Sequence, residues 1–465
     1  MTHTAMGEIE DLRAVMDGPV IEPGNTLFDD ARRVWNAEIN RSPSVIARCA
    51  SNDDVVAAIA FAREHQLEIS VRGGAHNTAG TAVCDGGLMV DLSLLNSVTV
   101  DAPARRARVG GGALLTDMDA ATQAHGLAVP GGLVGHTGVA GLTLGGGMGW
   151  LTRKFGLTID NLISAEVVTA DGRVLRAAED EHPDLFWAIR GGGGNFGVVT
   201  SFEFGLHELD PMVTFGLFFW SIADGPQALR LAREIVATMP PEINAVIAGL
   251  NAPPAPFVPE HLHFAPGYAL LLTGFESAPE HAQIAERIRE SLPPLFEMVA
   301  PLPYVDLQKL LDESLAWGFY AYEKGTYVQD LSDDVIDVIT KHIPRKSSPL
   351  STLLFYRLDG AYGRVGDADT AFSGGRSPRY GTFIIGLAPD AGLLAADRLW
   401  VRGLWEALRP HAIGSGDGYV NGTVEYDGDR VQASYGAAKY GRLARIKAHY
   451  DPGNVFHMNA NILPA

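Results

Sequence analysis

The chain has 465 residues, with 55 acidic against 36 basic side chains and a formal net charge of −19. Its length predicts two or three domains, and 46% hydrophobic with 20% charged residues are ordinary globular values. So acidic a balance excludes a broad basic face for nucleic acid or for an anionic membrane surface, and the two cysteines, Cys49 and Cys84, supply neither a disulfide framework nor a four-thiolate zinc site.

The first residues, Met1 to Glu10, have no basic region and no apolar core of signal-peptide length. No apolar run reaches the roughly 18 residues of a membrane span. Cytoplasmic residence without a membrane partner is the expectation.

Ser51-Asn52-Asp53-Asp54 places capping side chains ahead of an apolar-periodic segment through Val55, Ile59 and Ala62, which predicts a helix. Leu67 to Val71 then alternates like a half-buried strand, and a helix-to-strand crossover of this kind implies a small α+β or α/β layer. The strand opens into Arg72-Gly73-Gly74-Ala75-His76-Asn77. Gly73, Gly74 and Ala75 lack bulky side chains, so successive backbone N–H groups can form a nest for a phosphate. Arg72 adds a permanently charged bidentate donor, and His76 a nucleophilic nitrogen at the edge. A plain glycine turn carrying an ordinary loop histidine is the alternative reading.

Further strands are predicted at 87–92, 97–100, 106–110 and 163–170, the last closing a hairpin through Ala170-Asp171-Gly172. Between them, Gly132 to Trp150 holds eight glycines in nineteen residues. That density costs conformational entropy, so it predicts either ligand contact or a crowded turn packed under another element. Gly192-Gly193-Gly194-Asn195-Phe196-Gly197 satisfies G-x-G-x-x-G, but the strand-like run Val198 to Phe204 follows it. A dinucleotide fold of the Rossmann type needs a helix there, so a nicotinamide site is disfavoured.

Past residue 206 the sequence alternates aromatic strands (Phe215 to Trp220, Tyr268 to Leu272, Leu353 to Leu358, Phe383 to Leu387) with helices starting at Ser277-Ala278-Pro279-Glu280 and Ser332-Asp333. An antiparallel sheet backed by helices is expected. The last fifty residues, with Gly418-Tyr419-Val420-Asn421, Tyr435-Gly436 and a helix near 438–448, are expected to return to the first domain. The division is therefore 1–206, 207–412 and 413–465 in an α+β fold. His261 and His263 lack a third ligand, and no zinc-protease, serine-hydrolase or phosphate-loop motif occurs, so no metal site is expected.

Arg72 to His76, followed by Gly80 and by Asp85 to Leu92, resembles the flavin-attachment segment of the vanillyl-alcohol-oxidase superfamily with its PCMH-type FAD-binding fold, in the berberine-bridge-enzyme-like branch. The resemblance spans residues 27–206 and 418–463 and is thin between them. It implies a two-part FAD-binding domain, a substrate domain, and a bond from His76 to the 8α-methyl group of FAD. Arg72, Gly73, Gly74, Ala75, Asn77 and Gly80 would surround that attachment. His136, Thr137, Gly138, Gly141, Leu142, Gly145 and Gly147 fall in the segment that wraps the pyrophosphate and flavin edge, and Gly197, Val198 and Val199 in the one that contacts the adenosine half. Asn459 and Asn461 match the terminal segment that hydrogen-bonds the flavin, a task suited to amides that donate and accept. Val134 stands where doubly linked members carry a cysteine, which implies a single link.

Hydride transfer to a flavin is eased by a base that removes the neighbouring proton. Members of the family often carry a tyrosine after Tyr-x-Asn, whereas here Tyr419-Val420-Asn421 is followed by Gly422. Tyr356, mid-strand between Leu354 and Leu358, is the first substitute. Tyr419 and Asn421 are expected to line the flavin site, with Tyr435 a further candidate. The implied activity is an oxidase that passes hydride from a small organic or secondary-metabolite substrate to FAD, with dioxygen as acceptor and hydrogen peroxide as product. A flavin-dependent oxygenase or oxidative cyclase acting on polyketide-like metabolites is the alternative, and a non-catalytic flavin-binding protein the second.

Overall fold

The parallel order of the first sheet follows from its crossover connections, which adjacent parallel strands require. In the computed structural model, which describes residues 3–414, 418–425 and 428–465, β1 (Val20–Ile21), β2 (Val45–Arg48), β3 (Ile69–Arg72) and β4 (Leu88–Asp91) lie in the order β1-β2-β4-β3. Strands β2, β4 and β3 are parallel, and β1 is antiparallel to β2. Met1 and Thr2 of the N-terminal stretch lie outside the described residues. The predicted helix is α1 (Asn52–Glu64), capped by Ser51, whose Oγ accepts from the Asp54 amide. Its apolar stripe of Val55, Ala58, Ile59 and Ala62 packs with Val45 and Leu88 in the core of this layer. The Gly73–Asn77 loop therefore leaves the carboxyl end of a parallel strand, where ligands of such sheets bind.

A second, antiparallel sheet contains β5 (Val98–Asp101), β6 (Arg106–Gly110), β8 (Leu162–Val168), β9 (Val174–Ala178) and β10 (Val198–Gly205), while β7 (Leu127–Ala128) pairs with β11 (His207–Glu208). Strands β8 and β9 form the predicted hairpin, with Gly172 at φ +82° in its turn. Helices α2 (Leu115–Gln123), α3 (Val139–Gly145) and α4 (Pro183–Ile189) join them. The third glycine run lies between helix α4 and strand β10, the reverse of the strand-to-helix order of a Rossmann site.

The third sheet is antiparallel throughout: β12 (Met212–Ser221), β13 (Ile243–Asn251), β14 (Pro266–Gly274), β15 (Phe296–Pro303), β16 (Tyr320–Val328), β17 (Thr352–Leu358) and β18 (Arg379–Ala388), in the order β15-β12-β14-β13-β17-β18-β16. On one face Phe218, Trp220, Leu270, Leu272, Phe355 and Ile384 pack with helices α5 (Gly225–Thr238), α6 (Ala278–Ser291), α7 (Asp333–His342) and α8 (Ala391–Leu408). Residues of the other parity, such as Phe215, Leu217, Phe219, Leu271, Leu354 and Tyr356, pack with Leu133, Trp150 and Leu151 of the glycine-rich segment. Both faces are covered, which is why these strands read as continuous apolar runs.

The C-terminal helix α9 (Gly428–Tyr450) is broken at Gly436 (φ 74°, ψ 158°), so the helix predicted near 438–448 is its second half. Leu443, Ile446, Tyr450 and Ile462 share a core with Trp187, Val199 and Phe202 of the second-sheet layer. Lys447 is fully buried, and its ammonium donates to the carbonyls of Asn195 and Phe456 and to the Asp451 carboxylate. A buried charge is tolerated only when its donors are matched in this way. Among the described residues no helix is long and apolar enough to cross a membrane.

Candidate active site

A cavity of about 360 Å³ lies where the β3 loop, the α3 segment, the third sheet and the C-terminal segment meet, a size usual for small-molecule sites. Gly73, Gly74, Ala75, His76 and Asn77 line it, with Thr137, Gly138, Gly141 and Leu142 from the second glycine run. Gly197, Val198 and Val199 form another part of the wall, and Tyr356, Tyr419, Asn421, Tyr435 and Asn459 complete the predicted residues found there. Val134 is also in the wall.

The glycines bring main chain against main chain. A Cβ on Gly74 would sit 2.3 Å from the Gly138 nitrogen, and one on Gly138 would sit 2.3 Å from the Gly74 nitrogen. The two loops can meet only without side chains at these points, which leaves backbone groups exposed to the cavity.

Several predicted cofactor residues stand elsewhere. Arg72 is not in the wall: its guanidinium donates to the Ala31 carbonyl and lies 3.9 Å from the buried Asp91 carboxylate. Gly80 forms a turn at φ +67° against Ile39, and its carbonyl accepts from Arg41. Gly145 is required by the Asn421 amide, 2.3 Å from where a Cβ would stand. Gly147, at φ +77°, packs on Thr158 and donates its N–H to the Tyr419 hydroxyl at 2.9 Å. His136 stands behind His76 outside the wall, and Asn461 is likewise outside it, with a buried Oδ1 that has no hydrogen-bond partner. For Gly145 and Gly147 the crowded-turn alternative is the physical reason for the residue.

His76 is held by aromatic and imidazole neighbours. Trp35 stacks on it with ring centroids 4.7 Å apart and planes at 19°. Its Nε2 is 3.1 Å from His136 Nδ1. Burial, reinforced by His136, lowers the imidazole to about 3, so it is neutral at physiological pH. The Trp35 indole donates to the Leu315 carbonyl at 2.6 Å. Next to it, the Asn36 amide bonds the carbonyls of Thr78 and Ala321 and accepts from the Ala321 N–H, tying the His76 loop to β16.

Tyr419 accepts two hydrogen bonds at its hydroxyl, from the Gly147 N–H and from the Asn421 amide at 3.0 Å. Burial pushes it up to about 12. Asn421 also donates to the carbonyls of Gly141 and Leu142, so it fixes the end of α3. The Tyr435 hydroxyl donates to the Gly191 carbonyl at 2.9 Å. Tyr356 packs edge-on against Phe383 with centroids 5.1 Å apart, and burial holds its phenol well above the usual range.

Glu323 was not legible as a site residue in the sequence, yet it lines the cavity and is nine-tenths buried. Its Oε2 accepts from Thr78 Oγ1 at 3.0 Å, and burial pushes the carboxyl up to about 7. The signal was available in Tyr320 to Val328, which alternates aromatic and other residues, but a Glu-Lys pair within such a run reads as a solvated edge.

Fit to a flavin dinucleotide follows from these groups. Asn459 Oδ1 is buried at the wall without a hydrogen-bond partner. The cradle is made of glycine main chain with a neutral imidazole beside it, and among the described residues no lysine or arginine enters the wall. Phosphates held here would rest on backbone N–H groups.

The FAD binding domain model matches residues 43–178, and the Berberine and berberine like model matches residues 418–463. The (R)-6-hydroxynicotine oxidase of Paenarthrobacter nicotinovorans is 33% identical over 465 residues, covering 97% of each chain. The chain belongs to the berberine-bridge-enzyme-like family of FAD-linked oxidoreductases. The crystal structure of 6-hydroxy-D-nicotine oxidase from Arthrobacter nicotinovorans superposes with a TM-score of 0.86 at 30% identity, covering 97% of this chain and 98% of that one. Physcomitrella patens BBE-like 1 shares the fold at a TM-score of 0.87 and 23% identity, covering 98% and 99%. The chain is thus an α+β flavoprotein enzyme, and the non-catalytic alternative falls away.

Proposed function

We propose that this flavoprotein is an oxidase holding FAD through one covalent bond to His76, and that it oxidises a small organic or secondary-metabolite substrate with dioxygen as final acceptor and hydrogen peroxide as product. The observation that carries this reading is the neutral imidazole of His76 at a glycine-lined cavity, with Nε2 engaged by His136. With Nε2 facing His136 Nδ1 at 3.1 Å, the other ring nitrogen, Nδ1, would be the one to hold the flavin, and His136 would hold the orientation of the ring. Trp35 restricts the ring's rotation. Val134 has no thiol for a second link.

When bound, FAD supplies the hydride-accepting centre. The protein's part is to bind and orient. Gly73, Gly74, Gly138 and Gly141 offer backbone contacts, and Asn459 offers an amide whose oxygen has no partner within the chain. Tyr419 and Asn421 hold the α3 segment, while Tyr356 and Phe383 shape the substrate side. The division at 206/207 and 412/413, and residence in the cytoplasm, belong to the same reading.

The test is direct. Acid precipitation of the purified protein should leave the yellow colour in the pellet, and turnover should release peroxide in step with oxygen consumed. Flavin free in the supernatant refutes the bond. The absence of a tyrosine at Gly422 favours a second reading, an oxygenase or oxidative cyclase, which labelled oxygen recovered in the product in place of peroxide would establish.

A further inference from the structure

We propose that Glu323 is the substrate's partner in this cavity: its carboxylate binds, and takes the proton from, an O–H or N–H borne by the carbon that is oxidised, so the part of the cavity beside Glu323, away from the glycine cradle, admits neutral or cationic substrates and rejects anionic ones. This deepens the oxidase reading above and rests on it.

On β16, Ala321, Glu323 and Tyr327 share the parity that faces the flavin layer, while Tyr322 belongs to the helix-backed core and Lys324 lies over Trp405 and pairs with Glu425. Glu323 is therefore directed inward by strand geometry. Thr78, two residues beyond His76, donates to its Oε2, which ties the carboxylate to the flavin-side loop. Across the sheet it is paired with Ile385, next to Phe383, which stands edge-on to both Tyr356 and Tyr419.

Phe383 and Glu323 border position 422, where the tyrosine is missing. A Cβ on Gly422 would be 2.9 Å from Phe383 Cε1 and 3.8 Å from Glu323 Oε1. Phe383 thus crowds a side chain at 422, and the Glu323 carboxylate stands within van der Waals reach of where that side chain would begin. Position 422 carries no base, and a carboxylate from β16 lies beside it.

The charge of the wall points the same way. Among the described residues the wall contains one carboxylate, no lysine and no arginine. Burying a carboxylate with a single hydroxyl donor is costly, and a substrate hydrogen-bond donor or cation relieves that cost. The titratable groups around it are Tyr356 from β17, Tyr419 from the C-terminal segment and His76 from the β3 loop, and none of these is cationic at neutral pH. The rings of Tyr356, Phe383 and Tyr419 suit a flat or cationic partner. A carboxyl displaced to about 7 exchanges a proton readily at physiological pH.

In the step assigned to it, the substrate's O–H or N–H bond and the adjacent C–H bond break and a C=O or C=N bond forms. The proton goes to Glu323 Oε1. The hydrogen of the C–H bond leaves with its electron pair to the bound FAD, which is the oxidant.

Three single-ring probes of one size separate the possibilities: benzylamine, benzyl alcohol and benzoate, titrated calorimetrically into the flavin-loaded protein, so that no turnover is needed. Benzylamine should tighten about tenfold between about pH 6 and about pH 8, as the ionised fraction of Glu323 rises. Benzyl alcohol should bind with little pH dependence, and benzoate should not bind at the upper pH. Glu323→Gln should erase the benzylamine dependence and bring it level with benzyl alcohol, while Glu323→Asp preserves the order. The infrared carbonyl stretch of a protonated carboxyl, titrating near neutrality in the wild type and missing from Glu323→Gln, reads the same group without a probe. Benzoate binding as tightly as benzylamine, benzylamine binding unchanged in Glu323→Gln, or no probe binding overturns the proposal. A colourless protein that keeps Glu323-dependent benzylamine binding refutes the flavin reading instead, whereas a yellow protein with Glu323-independent binding refutes this one.

Discussion

His76 Nε2 and His136 Nδ1 lie 3.1 Å apart, with Trp35 stacked on the His76 ring. This pair engages one nitrogen of an imidazole whose burial already keeps it neutral. Replacing His136 with alanine should leave flavin binding intact but lower the fraction that survives acid precipitation. His76→Ala should abolish that fraction. Mass analysis of the peptide containing residue 76 reads both, and a full FAD adduct in His136→Ala would remove His136 from the attachment.

Asn421 spans three acceptors, the Gly141 and Leu142 carbonyls and the Tyr419 hydroxyl, and Tyr419 in turn receives the Gly147 N–H. Asn421→Ala should cost about 1–2 kcal/mol of unfolding free energy by removing the amide from the part-buried Leu142 carbonyl and Tyr419 hydroxyl. Tyr419→Phe should cost a similar amount, since it strands the Gly147 N–H. Chemical denaturation followed by tryptophan emission measures both. Equal stability of the Asn421 variant and wild type would mean that water replaces the amide.

The glycines divide into two kinds, which substitution by alanine should separate. At Gly74 a Cβ meets Gly138 main chain at 2.3 Å, so the loops must part and flavin retention should be lost. Gly86 has φ +67° with nothing within 4 Å, so alanine there should cost about 1–2 kcal/mol of backbone strain and leave the flavin in place. Flavin-to-protein absorbance ratios decide it, and retention by Gly74→Ala would show that the loop contact is dispensable.

Much of this was legible from residues. Capping at Ser51, the hairpin at Ala170 to Gly172 and the aromatic strands on either side of residue 270 follow local rules that packing did not override. The cavity-facing set from Gly73 to His76 was legible because short side chains after a strand suit a phosphate nest and because the stretch resembles the family's flavin-attachment segment. Arg72 stands outside the wall for a reason its charge alone did not reveal: Asp91 on the neighbouring strand and the Ala31 carbonyl engage it. Gly145 and Gly147 also stand outside the wall, and glycine density alone does not distinguish a ligand from Asn421 or Thr158 pressing on the chain. Glu323 escaped notice because alternation assumes one wet face, whereas β16 is covered on both, so that Glu323 and Lys324 are both buried.

That burial makes Glu323 a pH-dependent liability to the fold. Its carboxyl rises from an ordinary 4.5 to about 7, so between these values the folded protein binds more protons than the unfolded chain. Stability therefore falls as pH rises through this window, and the loss is complete above it. Glutamine keeps an acceptor for Thr78 without the charge. The difference in unfolding free energy between Glu323→Gln and wild type should open from near zero at about pH 4.5 to about 2–3 kcal/mol in favour of the variant at about pH 8. His76 works in the opposite sense in the flavin-free protein, because its depressed value removes stability as pH falls from 6.5 towards 3. Being common to both proteins, it cancels in the difference. A gap that stays flat with pH would mean that Glu323 is solvated or paired in solution, whereas one that opens across the window isolates the charge that the substrate is expected to meet.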